Sequence, residues 1–257
     1  ADVAALSAIC RARGVLLAVD NSLLTPVLQR PLELGADLVV HSATKSIGGH
    51  GDVMAGAVVT DDAELRERLA FHLNAEGTGL APFDSWLLLR GLKTLALRVE
   101  RQCASATRVA GHLAGHPAVE RVYFPALADE RQRAVHERQA RGPGCVVSFT
   151  TGDAERSRRL VESLRLFSIA VSFGAVGSSV SLPCRMSHAS IPAELRDRLA
   201  PPEDLVRLSI GIEDPQDLID DLEQALVEAV AAERKTNGSV RLALVRPRTE
   251  AAEPPAP

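Results

Sequence analysis

VLLAVDNSLLTPVLQRPLELGADLVVHSATKSIGGHGDVMAGAVVT, residues 15–60, decides the fold. VLLAVDN (15–21) and DLVVHS (37–42) are short apolar runs that end in polar residues, the pattern of buried parallel strands. MAGAVVT (54–60) reads as a third strand after the polar turn ATKSIGGHGD. Between the first two strands, PVLQRPLELG (26–35) reads as a short helix stopped by Gly35. Strand, helix, strand at this pitch is α/β organisation.

Upstream, residues 2–13 form a helix with Asp2 as N-cap, Val3, Leu6 and Cys10 on one face, and Gly14 at the end. Downstream, Asp61 or Asp62 caps a helix over 63–73, and EGTGLAP (76–82) breaks the pattern. From Asp84 an amphipathic stretch to about His112 reads as one long connector helix. Beyond it lie candidate strands at 119–124, 145–151, 168–173 and 204–212, with helices at 153–166 and 214–234. The last helix has Asp214 as N-cap, Pro215 at its first position, and Leu218, Leu222, Leu226 and Val230 on one face. Trp86 is expected to pack on the connector helix, and the charge-rich segment 129–142 to be a solvated helix face. After Lys235 the composition turns Pro/Ala/Glu-rich, which predicts a disordered tail. The expected division is 1–97, 98–235 and a tail over 236–257.

Of the 257 residues, 46% are hydrophobic and 24% charged, which excludes a wholly disordered or fibrous chain. A net charge of -4 argues against nucleic-acid or anionic-membrane partners. No apolar run is long enough to cross a bilayer, and the first residues lack signal-peptide architecture, so a cytoplasmic location is expected. Cys10, Cys103, Cys145 and Cys184 are scattered without CxxC spacing, so no metal site is expected. Only Lys45, Lys93 and Lys235 offer an amine.

Asp20 closes one strand; Ser42, Thr44 and Lys45 close the next. In open α/β sheets ligands bind at the carboxyl ends of strands. Pyridoxal 5'-phosphate needs such a set: an amine for its aldehyde, a carboxylate for its ring nitrogen, and hydroxyls for its phosphate. Composition and spacing alone leave the alternatives open, with Asp20 as a loop cap and Lys45 as a solvated surface lysine. In DLVRLSIGI, Val206, Leu208 and Ile210 share one face and Arg207 faces the other. Arg207 suits a planar carboxylate, or a rim ion pair with Glu213. His50 and His188 read as hydrogen-bonded structural histidines.

The segment 19–59 strongly resembles the cofactor-lysine region of the Cys/Met-metabolism family of pyridoxal-phosphate enzymes. That family includes cystathionine γ-synthases, cystathionine γ- and β-lyases, methionine γ-lyases and O-acylhomoserine sulfhydrylases. The resemblance continues through PFDSWLLLRGLKTLALRVERQ (82–102), SFGAVGSSVSLPCRMSHASIP (172–192) and DLVRLSIGIEDPQDLIDDLEQAL (204–226). It implies part of a fold-type I large domain followed by a smaller C-terminal α/β domain. Residue by residue, it implies Lys45 as the lysine that carries the cofactor and Asp20 as the partner of the pyridine nitrogen. Ser42 and Thr44 become phosphate contacts, Arg207 the grip on the substrate carboxylate, and Ser172 the serine beside lysine and substrate. It further implies a homotetramer built from dimers, and an N-terminal portion that supplies the rest of the cofactor site; without it the chain holds about half a site. In AVSFG, Val171 stands where cystathionine-specific members tend to carry an acid, which resembles methionine γ-lyases. The implied activity is γ-elimination on a sulfur amino acid. γ-Replacement, or a fragment or partner subunit inactive alone, are the alternatives.

Overall fold

A computed structural model describes residues 1–192, 195 and 198–243, with side chains described as far as residue 232. The chain opens with α1 (Val3–Ala12), where the Asp2 side chain accepts from the Ala5 N–H. β1 (Ala18–Asp20) and β2 (Leu38–Ser42) are parallel, with Asp20 opposite Val40. Between them lie the short helix α2 (Thr25–Leu28) and a 3-10 turn at Pro31–Leu34 that Gly35 ends with φ 94°. β3 (Gly56–Val59) pairs antiparallel with β2, giving the order β1-β2-β3. β1 is the sheet edge, and Ala18 and Asp20 on it are exposed, so this strand is not buried as its apolar run predicts.

α3 (Ala63–Glu76) follows, capped by Asp62 and ended by Gly77 in the left-handed region. The expected connector is two helices, α4 (Pro82–Leu92) and α5 (Leu95–Ala114), not one. At the break the Gly91 carbonyl accepts from Arg98 Nη2 at 2.8 Å as well as from Thr94 N–H at 3.2 Å. Trp86 is 57% exposed and touches Phe83, so it lies outside the core.

The second sheet contains β4 (Arg121–Tyr123), β5 (Val146–Thr150), β6 (Ser168–Ile169), β7 (Ser179–Ser181) and β8 (Val206–Ser209), in the order β4-β5-β8-β7-β6. Only β6 and β7 pair in parallel. α6 (Glu130–Gln139) is the solvated charged helix, with no buried residue. α7 (Ala154–Ser163) and α8 (Pro215–Ala243) complete the unit. Along β8, Leu208 lies opposite Val147 and Val180, whereas Arg207 lies opposite Ser148 and Ser181. The apolar face therefore builds the main core with Phe149 of β5, Val109 and Leu113 of α5, and Leu218, Leu222 and Leu226 of α8. The polar face stays free for chemistry.

Strand β7 escapes sequence reading because a single valine between serines gives no run. The segments at 168–173 and 204–212 pair over shorter spans than their apolar character predicts. α8 continues to Ala243, so residues 236–243 of the expected tail are helical; 244–257 lie outside the described residues. Among the described residues no helix is long and apolar enough to cross a membrane.

Candidate active site

Lys45 sits in the turn between β2 and β3, which the backbone closes tightly. Its N–H donates to Ser42 O at 3.1 Å, Gly48 N–H to Ala43 O at 2.8 Å, and Gly49 N–H to Lys45 O at 2.8 Å. From this turn the Lys45 amine reaches the second sheet and donates to Ser172 Oγ at 2.8 Å. The Phe173 ring lies 5.0 Å from the same nitrogen, within cation–π range. Lys45 and Ser172 are 127 positions apart in sequence, so their meeting is a product of the fold. Among the described residues no carboxylate pairs with this amine.

Asp20 ends β1, and its register partner Val40 lies two residues before Ser42 on the same sheet face. A short string joins the two strand ends. Ser22 N–H donates to Asp20 Oδ1 at 2.9 Å, and Ser42 N–H donates to Ser22 Oγ at 2.6 Å. The preceding loop is pinned by buried Asn21, whose Nδ2 donates to Thr25 O and Gln29 O. Thr25 is the non-glycine residue with positive φ, 62°, among those described, a backbone state that β-branched residues rarely adopt. On the opposite face His41 is buried, its Nδ1 has no partner, and burial pushes its imidazole below the ordinary value while nearby Asp20 pulls it up.

The Ser42 hydroxyl has no hydrogen-bond partner among the described residues, as a phosphate contact requires. Thr44 is different: its Oγ1 accepts from Ala55 N–H at 2.9 Å and donates to Ala55 O at 3.3 Å. Its first task is to fasten the two ends of the Lys45 turn. No hydrogen bond or ion pair joins Asp20 directly to Lys45. The two lie at the carboxyl ends of neighbouring parallel strands.

Arg207 projects from the polar face of β8, half-buried, and donates through Nη2 to Val171 O at 2.8 Å. Burial lowers the affinity of its guanidinium for the proton. No carboxylate compensates it, because Glu213, the sequence alternative, is taken up by Ser178 N–H at 2.6 Å and Ser178 Oγ at 2.9 Å. Val171 is held by its carbonyl, and its side chain is exposed. Arg207 and Ser172 thus meet through adjacent residues of one segment. His50 and His188 bond to the Gly48 carbonyl and to the Ser187 hydroxyl, as structural histidines do.

This donor set fits pyridoxal 5'-phosphate. An unpaired amine, a carboxylate free of ion pairs and an unpartnered hydroxyl stand at the ends of adjacent strands. Sequence reasoning missed two supporting residues, Arg98 and Gln102 on α5, which hold the backbone on either side of the Lys45–Ser172 contact. A signal existed: both interrupt the otherwise apolar stripe Leu95, Val99, Ala106, Val109.

The family described as Cys/Met metabolism PLP-dependent enzyme matches residues 1–227. A chloroplastic cystathionine beta-lyase of Arabidopsis thaliana is 54% identical over 224 residues, 87% of this chain and 48% of that protein. A cystathionine gamma-lyase of Bacillus subtilis is 48% identical over 225 residues, 88% of this chain and 59% of that one. The crystal structure of cystathionine gamma synthase from Xanthomonas oryzae pv. oryzae, in complex with cystathionine, superposes with a TM-score of 0.86 at 43% identity. That match covers 90% of this chain and 60% of the other, which identifies the fold as part of fold-type I. The chain spans about half the length of the curated relatives it matches. With most of its length inside that match, the chain belongs to the Cys/Met metabolism family of pyridoxal-phosphate-dependent enzymes.

Proposed function

We propose that this chain carries the lysine side of a carbon–sulfur lyase that cleaves cystathionine by β-elimination. Cystathionine and water would give homocysteine, pyruvate and ammonia. The observation that carries the reading is the Lys45 amine, held 2.8 Å from Ser172 Oγ and free of any carboxylate among the described residues. Cystathionine beta-lyases among the relatives, at 51–54% identity, favour the β position.

Asp20 would hold the ring-nitrogen end of the cofactor, Ser42 its phosphate end, and Lys45 its aldehyde. When bound, pyridoxal phosphate supplies an electron sink that makes the substrate Cα proton removable. Arg207 binds the substrate α-carboxylate, for which its unpaired guanidinium is a planar match. The Lys45 amine takes the Cα proton and delivers a proton to the departing sulfur. Ser172 accepts the amine's hydrogen bond and fixes its direction between these two positions. Thr44 keeps the turn closed so that the amine stays in reach.

γ-Elimination, in which cystathionine and water give cysteine, 2-oxobutanoate and ammonia, is the second reading, favoured by the Bacillus subtilis gamma-lyase relative. Incubating the full-length protein with pyridoxal phosphate and cystathionine, then identifying the 2-oxo acid, separates the two. Borohydride treatment should fix the cofactor on Lys45, and Lys45→Ala should abolish both the label and the 2-oxo acid. A label on another lysine, or no cofactor uptake by the full-length protein, removes the reading. A homo-oligomer of paired dimers is expected in solution, and sedimentation checks it.

A further inference from the structure

α5 places two buried polar side chains on one face, a single turn apart: Arg98 and Gln102. Arg98 is 5% exposed and has no carboxylate partner among the described residues. Its guanidinium is spent on backbone: Nη1 donates to Ser46 O at 2.7 Å, and Nη2 to Ile47 O at 3.3 Å and Gly91 O at 2.8 Å. Nε donates to Thr94 Oγ1 at 3.1 Å. Ser46 and Ile47 are the two residues after Lys45. Gln102 is wholly buried; its Nε2 donates to Ala175 O at 2.8 Å, and its Oε1 has no partner. Ala175 lies three residues after Ser172.

The two loops also hold each other. Val176 N–H donates to Gly49 O at 2.9 Å. A Cβ at Gly49 would run into the Arg98 guanidinium, and one at Gly174 would run into Ser46. The contacts close a ring: α5 to the Lys45 turn through Arg98, Lys45 to Ser172, and the Ser172 loop back to α5 through Gln102. Stability alone does not account for this choice of residues. A buried cation without a counter-charge, and a buried amide with one unmet oxygen, both cost more than apolar side chains of similar size.

We propose that Arg98 and Gln102 act together as positioning residues that set the Lys45–Ser172 contact, Arg98 through the Lys45 turn and Gln102 through the Ser172 loop. The inference rests on the reading of Lys45 as the reacting amine. The test uses Arg98→Lys, Gln102→Leu and the double variant in the full-length protein. Each single variant is expected to lower kcat about 10- to 100-fold, since about 1 Å of misplacement has that effect, with KM within about threefold of wild type. A ring opened once cannot be opened again, so the double variant is expected within about threefold of the weaker single one. In the cofactor-free protein, amide exchange at Gly48 and Gly49 should speed up in Arg98→Lys, while β5 and β8 stay protected.

Wild-type kcat in folded single variants, whatever happens to Tm, overturns the proposal. So do effects that multiply in the double variant, which would mean two independent structural roles. If Arg98→Lys does not fold, Thr94→Val and Gln102→Leu decide: a fall in kcat with Tm kept supports the ring, and an unchanged kcat overturns it. Failure of borohydride to label wild-type Lys45 would sink the lyase reading instead, and the exchange measurement still decides whether Arg98 holds the turn.

Discussion

Replacing Arg207 by methionine should separate substrate binding from folding. The guanidinium stands on the polar face of β8 between Ser148 and Ser181, with one bond, at 2.8 Å to Val171 O. Its remaining donors meet no carboxylate among the described residues. A charge-assisted hydrogen bond to a substrate carboxylate contributes about 1.5–3 kcal/mol. At about 1.4 kcal/mol per tenfold, R207M should therefore lower kcat/KM about 10- to 150-fold, mainly through KM. Stability should move little. The variant loses one bond to an exposed backbone carbonyl, but it also relieves a half-buried cation that burial penalises. The assay is 2-oxo acid release over a range of cystathionine concentrations, beside a urea melt of the same preparation. A decarboxylated analogue makes the control, since R207M should not change its already poor turnover. A KM within about twofold of wild type, or a melt that collapses while KM holds, refutes the assignment of Arg207 to substrate.

Asp221→Ala should destabilise the protein by about 2–3 kcal/mol, because the buried carboxylate accepts from Arg165 N–H, Leu166 N–H and Gln224 Nε2. Urea denaturation checks it, and a loss below about 0.5 kcal/mol counts against the assignment. His41 should impose a pH dependence. Burial lowers its folded-state value from 6.5, so below that value the unfolded chain binds a proton that the folded chain refuses. Stability is then complete above about pH 6.5 and falls as the pH drops, and His41→Gln should flatten the difference between urea midpoints at about pH 7.5 and about pH 5.5. Equal slopes in both proteins would dismiss the idea. Gly91→Ala should cost about 1–3 kcal/mol, because the added methyl meets the Gly48 backbone, which cannot rotate away. A calorimetric Tm equal to wild type would contradict that packing.

Much of this architecture is legible in the sequence, for identifiable reasons. The spacing of Leu218, Leu222 and Leu226 marks the helix face that fills the main core, and all three are fully buried. The alternation around Arg207 puts it opposite the apolar face of β8, as its serine register partners confirm. What escapes is whatever depends on contacts distant in sequence. The break between α4 and α5 carries no Pro; around it the Gly91 carbonyl gathers Thr94 N–H and the Arg98 guanidinium. Trp86 looks like a packing residue by type, yet it is exposed and belongs to neither core cluster among the described residues. The spacing of Ser42 and Thr44 before Lys45 suggests equal partners for one phosphate. The fold divides them, leaving Ser42 free and binding Thr44 to Ala55.

The groups that would act on one substrate belong to two different sheets. Lys45 and Asp20 stand on the three-stranded sheet; Ser172 and Arg207 belong to the five-stranded unit. No strand pairing fixes the first pair against the second, so their spacing depends on what crosses between the units. α5 is one such crossing, beside the bridge between Gln29 and Ala140 and the Arg141 N–H bond to Leu28 O. Its first turns, Leu95 and Val99, pack with Leu28 and Ile47 beneath the Lys45 turn. Its later turns, Ala106, Val109, Ala110 and Leu113, are part of the main core. An α-helix is stiff over this length, so it transmits any change in its packing at one end to the other. A volume change at Val109 or Leu113, far from Lys45, is therefore expected to move Arg207 relative to the Lys45 amine, and a change in KM in Leu113→Ala with the fold retained would check it. The interlocked loops at Gly49 and Val176 resist that shift; glycines with positive φ stand at 49, where a side chain would displace the Arg98 guanidinium, and at 174, where it would push against Ser46 of the Lys45 turn.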